Sequence, residues 1–142
     1  MAAKAPMIPT MRYRDTTAAV EWLCPAFGFE KHQVFAGDDG QVTHAELAYG
    51  GSVLMIGPVA DTPFGQYMKT PDETGGVVTQ CVFIVVDNAD AHYAQAKAAG
   101  AEILIDIKDE DYGGRDYTCR DPQGQIWSFG TYDPWTASAK IS

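Results

Sequence analysis

Basic residues are scarce in this sequence: ten Lys and Arg stand against nineteen Asp and Glu, a net charge of −9. Phosphate contact needs clustered Lys and Arg, and no such cluster is visible, so nucleic acid and anionic membranes are disfavoured as partners. Solubility alone accounts for the acidity. A cationic small-molecule ligand would also be drawn by it. No apolar run approaches the length of a membrane span. Cysteine is sparse: Cys24, Cys81 and Cys119 are odd in number, widely spaced and free of any C-x-x-C pair. That argues against a disulfide framework or a structural zinc site. It points to reduced thiols in a cytoplasm. The opening MAAKAP has no apolar core segment, so it does not read as a signal peptide. There is no Gly-rich phosphate loop and no G-x-S-x-G elbow, and no Ser/His/Asp set can be assembled from spacing.

What is present fits one domain over residues 1–142. The apolar share of 46% is enough for a core without disulfides. The chain carries an internal echo. YRDTTAAVEWLCPAFGFE (Tyr13–Glu30) is matched by VVDNADAHYAQAKAAGAE (Val85–Glu102), with Asp15 and Asp87, Gly28 and Gly100, and Glu30 and Glu102 each 72 residues apart. Asp15 and Asp87 can cap helix N-termini. Gly28 and Gly100 can take the left-handed conformation that ends a helix. After each helix comes a strand, a turn, a strand, a second turn and a strand. The turns are GDDG (Gly37–Gly40) and Gly50–Gly51 in the first copy, DEDYGG and DPQG (Asp121–Gly124) in the second. The reading is a βαβββ unit used twice, over about residues 7–57 and 77–132. The first helix puts Val20, Leu23 and Phe27 on one face. Pro25 predicts a kink or an early end. The aperiodic stretch Pro58–Gly76 is a connector, a lid or a binding loop.

Paired βαβββ units, opened by PTMRYRD and closed by DPQGQIW, resemble the glyoxalase / bleomycin resistance protein / dioxygenase (vicinal oxygen chelate) superfamily. The segments HAELAYGGSVLMIG and YGGRDYTCRDPQGQIWSFGTYDPW are similar to its glyoxalase-like branch. The resemblance implies an α+β fold in which two modules form a curved, cup-like mixed sheet around a small-molecule ligand. It also implies a homodimer.

Metal-dependent relatives hold one divalent ion with His, Glu or Gln from four strands. Counting from the shared landmarks places those four positions at Pro9, Met55, Cys81 and Ser128. Proline has no donor, Met and Ser are poor ligands for a hard ion, and Cys81 alone makes no site. A slip of one residue would offer Thr10 or Ile8, Ile56 or Leu54, Gln80, and Phe129 or Trp127, which restores nothing. The expectation is therefore a member with no metal and no other cofactor.

Strand alternation puts Ser128 with Ile126 and Gly130, away from Trp127 and Phe129, which pack into the core. Met55, Cys81, Phe83 and Ser128 are the expected ligand contacts, with Tyr112 and Arg115 at the rim. Arg115 can clamp a carboxylate or pair with one of the many acids. Cys81 reads as a small hydrophobe rather than a nucleophile. His44 and Glu46 point to one face of a strand and are the candidate catalytic pair, or else a solvent-facing pair. His32 and His92 are expected at the surface. Function follows as either a metal-free binder that sequesters a drug or metabolite, or a glyoxalase-like enzyme of lyase, isomerase or dioxygenase type.

Overall fold

The computed structural model describes residues 5–136. The elements run β1 (Thr10–Tyr13), α1 (Thr16–Phe27), β2 (Glu30–Ala36), β3 (Val42–Tyr49), β4 (Ser52–Pro58), β5 (Val82–Val85), α2 (Ala89–Ala98), β6 (Glu102–Asp109), β7 (Arg115–Arg120) and β8 (Ile126–Gly130). This is the twofold βαβββ pattern of an α+β fold. It forms two four-stranded sheets, ordered β1-β4-β3-β2 and β5-β8-β7-β6. In each sheet the opening strand lies parallel to the module's last strand, and the hairpin-joined strands are antiparallel. The registers correspond: Thr10 faces Met55 in the first sheet, and Phe83 faces Ser128 in the second.

Alternation decides which face of each sheet is closed. In the first, Met11, Tyr13, Ala45, Leu47, Leu54 and Ile56 are buried; in the second, Tyr117, Cys119, Trp127 and Phe129 are. The apolar stripe of α1 (Ala19, Val20, Leu23, Ala26, Phe27) is buried with them. Burying each large side chain of this set contributes about 2–3 kcal/mol. The opposite, open faces carry Thr10, Arg12, His44, Glu46 and Met55 on the first sheet, and Phe83, Thr118 and Ser128 on the second. None of these is buried.

Helix punctuation follows the sequence with two corrections. Asp15 caps α1, accepting from Ala18 N at 2.9 Å, and Gly28 ends it at φ 89°. The cap of α2 is Asn88 rather than Asp87: Asn88 is the extended residue before the first helical turn, and its Oδ1 accepts from Ala91 N at 3.0 Å. Asp87 stands one residue too early to reach the free N–H groups. Pro25 does not end α1, because the helix runs on to Phe27. Its missing N–H falls in the last turn, where Gly28 N reaches back to Cys24 O at 2.9 Å and closes the helix.

Among the polar joints between the two modules, two are buried. The first is Asp121 in the DPQG turn, whose carboxylate accepts from Tyr13 Oη (2.7 Å), Trp127 Nε1 (3.1 Å), Gln123 N (3.0 Å) and Gln125 N (3.0 Å). The second is His92. It is not at the surface, because α2 turns it inward to 8% exposure and stacks it on Phe129 at 4.1 Å. Its Nε2 lies 2.8 Å from Phe27 O and its Nδ1 2.6 Å from Tyr117 Oη. A carbonyl only accepts, so Nε2 donates, and Nδ1 of the neutral ring accepts from the tyrosine.

Burial pushes the His92 pKa below its ordinary value, and the bond to the Phe27 carbonyl opposes this by less. The unfolded chain therefore takes up the proton first. The contribution to stability is full above the unfolded pKa of about 6.5 and is lost as pH falls through the window beneath it. Urea denaturation of the native chain is expected to show a midpoint that declines from about pH 7.5 to about pH 5, with a flatter profile in His92→Phe. Equal slopes in the two proteins would remove His92 as the linked group.

Candidate functional site

The first cluster of chemistry lies on the open face of the first sheet. His44 Nε2 and Glu46 Oε2, two residues apart on β3, are 3.0 Å from each other and about one-third exposed. Glu46 pairs across the ladder with Met55, and Met55 with Thr10. Phe35 on β2 faces His44, with ring centroids 6.0 Å apart. Arg12 completes the group. Its guanidinium lies over Gly57, where an added Cβ would stand 2.8 Å from Nη1, and under the Phe64 ring, 5.2 Å from the centroid. The structure thus joins His44, Glu46 and Met55, and adds Arg12 and Phe64, which the sequence reading passed over. Arg12 was legible: in TMRY it alternates with the buried Met11 and Tyr13, so it shares Thr10's face.

The second cluster belongs to the other sheet. Ser128 Oγ hydrogen-bonds Thr118 Oγ1 at 2.7 Å, and Phe83 lies opposite Ser128 in the ladder. The Ser128 hydroxyl, flanked in sequence by Trp127 and Phe129, is thus satisfied by a cross-strand partner. Thr118 could have been found by counting outward from the DPQG turn, which pairs it with Ser128. Phe83 leans on Gly130, where a Cβ would meet the ring edge at 3.1 Å. Met55 and Ser128 sit on separate sheets.

Register also refines the landmark counting on β1. Thr10, not Pro9, is the residue beside Met55. Pro9 precedes the strand, and its carbonyl accepts from Met55 N at 3.0 Å. Cys81 shares the alternation of Phe83, just ahead of β5. Thr10, Met55, Cys81 and Ser128 do not make a ligand set for a hard divalent ion. Among the described residues, no three His, Cys, Asp or Glu side chains gather anywhere. Tyr112 and Arg115 stand apart. The Tyr112 hydroxyl donates to Asp116 at 2.7 Å, which pushes its pKa up to about 12. Arg115 pairs with Asp90 at 3.1 Å and Asp109 at 3.4 Å.

A cleft of about 840 Å³ opens between the two modules. Its walls are the approach to β1 (Met7–Arg12), the approach to β5 (Val77–Val82), and the connector from Gln66 to Thr74. Thr10 and Arg12 border both this cleft and the first open face, and Cys81 lines it from the other module. The connector is anchored at its C-terminal end, to both modules. Arg14 pairs with Asp72 at 2.6 Å and Glu73 at 3.2 Å, and Arg120 Nη2 donates to Gly76 O at 3.3 Å. Thr70 is 2% exposed, and Pro71 packs at Gly124. The stretch read as connector, lid or binding loop is thus a wall of the cleft.

Two βαβββ repeats, each with a closed helix face and an open face, define a cup-forming class of α+β proteins. The chain belongs to the glyoxalase/bleomycin resistance protein/dioxygenase superfamily, whose family profile matches residues 8–129. It is 28% identical over 122 residues to the protein Rv0887c of Mycobacterium tuberculosis, covering 86% of this chain and 71% of that one. Among solved structures it resembles TioX from Micromonospora sp. ML1, with a TM-score of 0.69 and 29% identity over 87% of this chain and 95% of that one. The fold also matches the fosfomycin resistance protein FosX from Listeria monocytogenes, complexed with Mn(II) and 1S,2S-dihydroxypropylphosphonic acid. That match has a TM-score of 0.64 and 13% identity over 94% of each chain.

Proposed function

We propose that this chain is a metal-free small-molecule-binding protein that sequesters a drug or metabolite and acts as a homodimer in the cytoplasm. The observation that carries this reading is the inter-module cleft. Its volume of about 840 Å³ suits a drug-sized molecule, and its lining is mainly apolar and soft: Met7, Ile8, Met11, Met68, Val77 and Val82. The open faces supply further apolar area. Phe35, Phe83, Val85 and Ile105 are 49%, 40%, 39% and 50% exposed, and a second copy of the chain is the natural cover for them. Thr10, Met55, Cys81 and Ser128 suit contact with an organic ligand better than ligation of an ion.

A second reading is supported by the His44–Glu46 contact at 3.0 Å. A hydrogen-bonded imidazole and carboxylate can move a proton on a carbonyl compound in a glyoxalase-like enzyme. Native mass spectrometry of protein purified without chelator separates the two. The expected result is a dimer, free of divalent ion, that binds the neutral probe N-phenylnaphthylamine saturably. One ion per chain, with turnover of a thiohemiacetal that is lost in Glu46→Gln, would replace the binding reading with the enzymatic one.

A further inference from the structure

We infer that the cleft selects an organic anion: a molecule with an apolar or aromatic body and one carboxylate, sulfonate or phosphate head, received by Arg12, with Lys69 lining the same cleft. The inference rests on the binding reading and names its ligand class. It runs against the net charge, and that contrast is the first argument. A chain with nineteen acids and ten bases would place carboxylates in most large concavities by composition alone. The cleft lining holds Arg12 and Lys69 and not one Asp or Glu. The acidity of the protein is excluded from this cleft.

The second argument is that both cations are unspent. None of the ion pairs among the described residues involves Arg12 or Lys69, whereas Arg14, Arg115 and Arg120 each hold a carboxylate. A part-buried guanidinium in so acidic a chain is ordinarily paired with a carboxylate. The third argument is that Arg12 is positioned. The absence of a side chain at Gly57 gives it a seat, and the Phe64 ring covers it at 5.2 Å. It borders both the cleft and a smaller pocket of about 190 Å³ under the start of the connector. A guanidinium confined between a backbone and a ring, with no carboxylate partner, keeps donors free for a planar or tetrahedral oxyanion. The apolar wall of Met7, Ile8, Met11 and Met68 then takes the body of the ligand.

The test is a fluorescence titration of the full chain with three probes. They are anilinonaphthalene sulfonate, the neutral N-phenylnaphthylamine of nearly the same body, and the cationic thioflavin T. The sulfonate is expected to bind tightest, with an affinity that falls as salt is raised, while the neutral probe stays flat. Arg12→Gln is expected to weaken the sulfonate about tenfold and leave the neutral probe within about twofold. Lys69→Gln, on the exposed connector, is expected to cost about threefold. Gly57→Ala keeps every charge, and its new methyl crowds only the end of the Arg12 side chain; it is expected to fold normally and to weaken the sulfonate selectively. Lys31→Gln, on β2 and away from the cleft, serves as the control. Preference for thioflavin T, an unchanged sulfonate affinity in Arg12→Gln, or an equal loss in Lys31→Gln would overturn the anion inference. Saturable binding of the neutral probe would leave the binding reading standing in each case.

Discussion

Replacing Trp127 by alanine is expected to destabilise the chain by about 4 kcal/mol, the largest loss of any single side chain outside the backbone turns. The residue is fully buried in β8. Its ring meets Phe27 of α1 at 5.3 Å, Phe29 at 5.7 Å and Phe129 at 6.2 Å between centroids. Phe27 and Phe29 belong to the first module and Trp127 to the second, so the cavity would open where the halves are held together. The variant also withdraws the Nε1–H from Asp121. Trp127→Phe keeps most of the apolar area and loses that hydrogen bond with a small part of the ring packing, so it should cost about 1–2 kcal/mol. Guanidinium unfolding monitored by circular dichroism gives both values. Similar losses for the two variants would mean that the indole N–H, rather than ring packing, carries the energy.

The second large effect is expected at Asp121. Asp121→Ala strands four donors at once: the Tyr13 hydroxyl, the Trp127 indole N–H, and the backbone N–H groups of Gln123 and Gln125. Buried donors without partners cost about 1–3 kcal/mol each, with part recovered by water near the turn, so about 4 kcal/mol is expected in total. Asp121→Asn keeps one acceptor oxygen for the two backbone groups and should cost about half as much. Burial pushes the Asp121 carboxyl above its ordinary range, despite the donors around it. The native state therefore holds this proton to higher pH than the unfolded chain. The stability it lends is full at low pH and lost as pH rises through the folded-state value, opposite in sign to His92. Urea midpoints of the native chain and Asp121→Asn across the acid range check both the size and the slope.

The fold was legible because its signals are local. Matched spacing of Asp15, Gly28 and Glu30 with their second copies, and turn residues such as Asp39–Gly40 and Asp121–Gly124, each act over a few residues. The faces of β8 could be read for the same reason, since Trp127, Ser128 and Phe129 alternate strictly. Other features depend on distant parts of the chain. His92 faces inward because Tyr117 and the Phe27 carbonyl wait for it, and the Ala-rich α2 has little amphipathic pattern to announce that. Thr10 rather than Pro9 beside Met55 is a matter of strand pairing, which landmark counting fixes only to within one residue. The sequence reading puts Met55, Cys81, Phe83 and Ser128 in one shared cup, whereas the structure sets Met55 and Ser128 on separate sheets. The cleft between the modules escaped notice because neither wall exists until Gln123 and Gln125 of the DPQGQ turn bond to Asp15 and Arg12.

Gly57 and Gly130 lie 73 residues apart, one repeat, and do the same thing in each sheet. Each bare position makes room for a side chain from the module's opening strand, Arg12 at Gly57 and the Phe83 ring edge at Gly130, where Asp116 also presses in from β7. The seat is duplicated but its occupant is not. Since both occupants lie on open faces, exchanging them leaves the core of Trp127, Phe27 and Leu23 undisturbed. Such an architecture can change what it recognises at little cost to what keeps it folded.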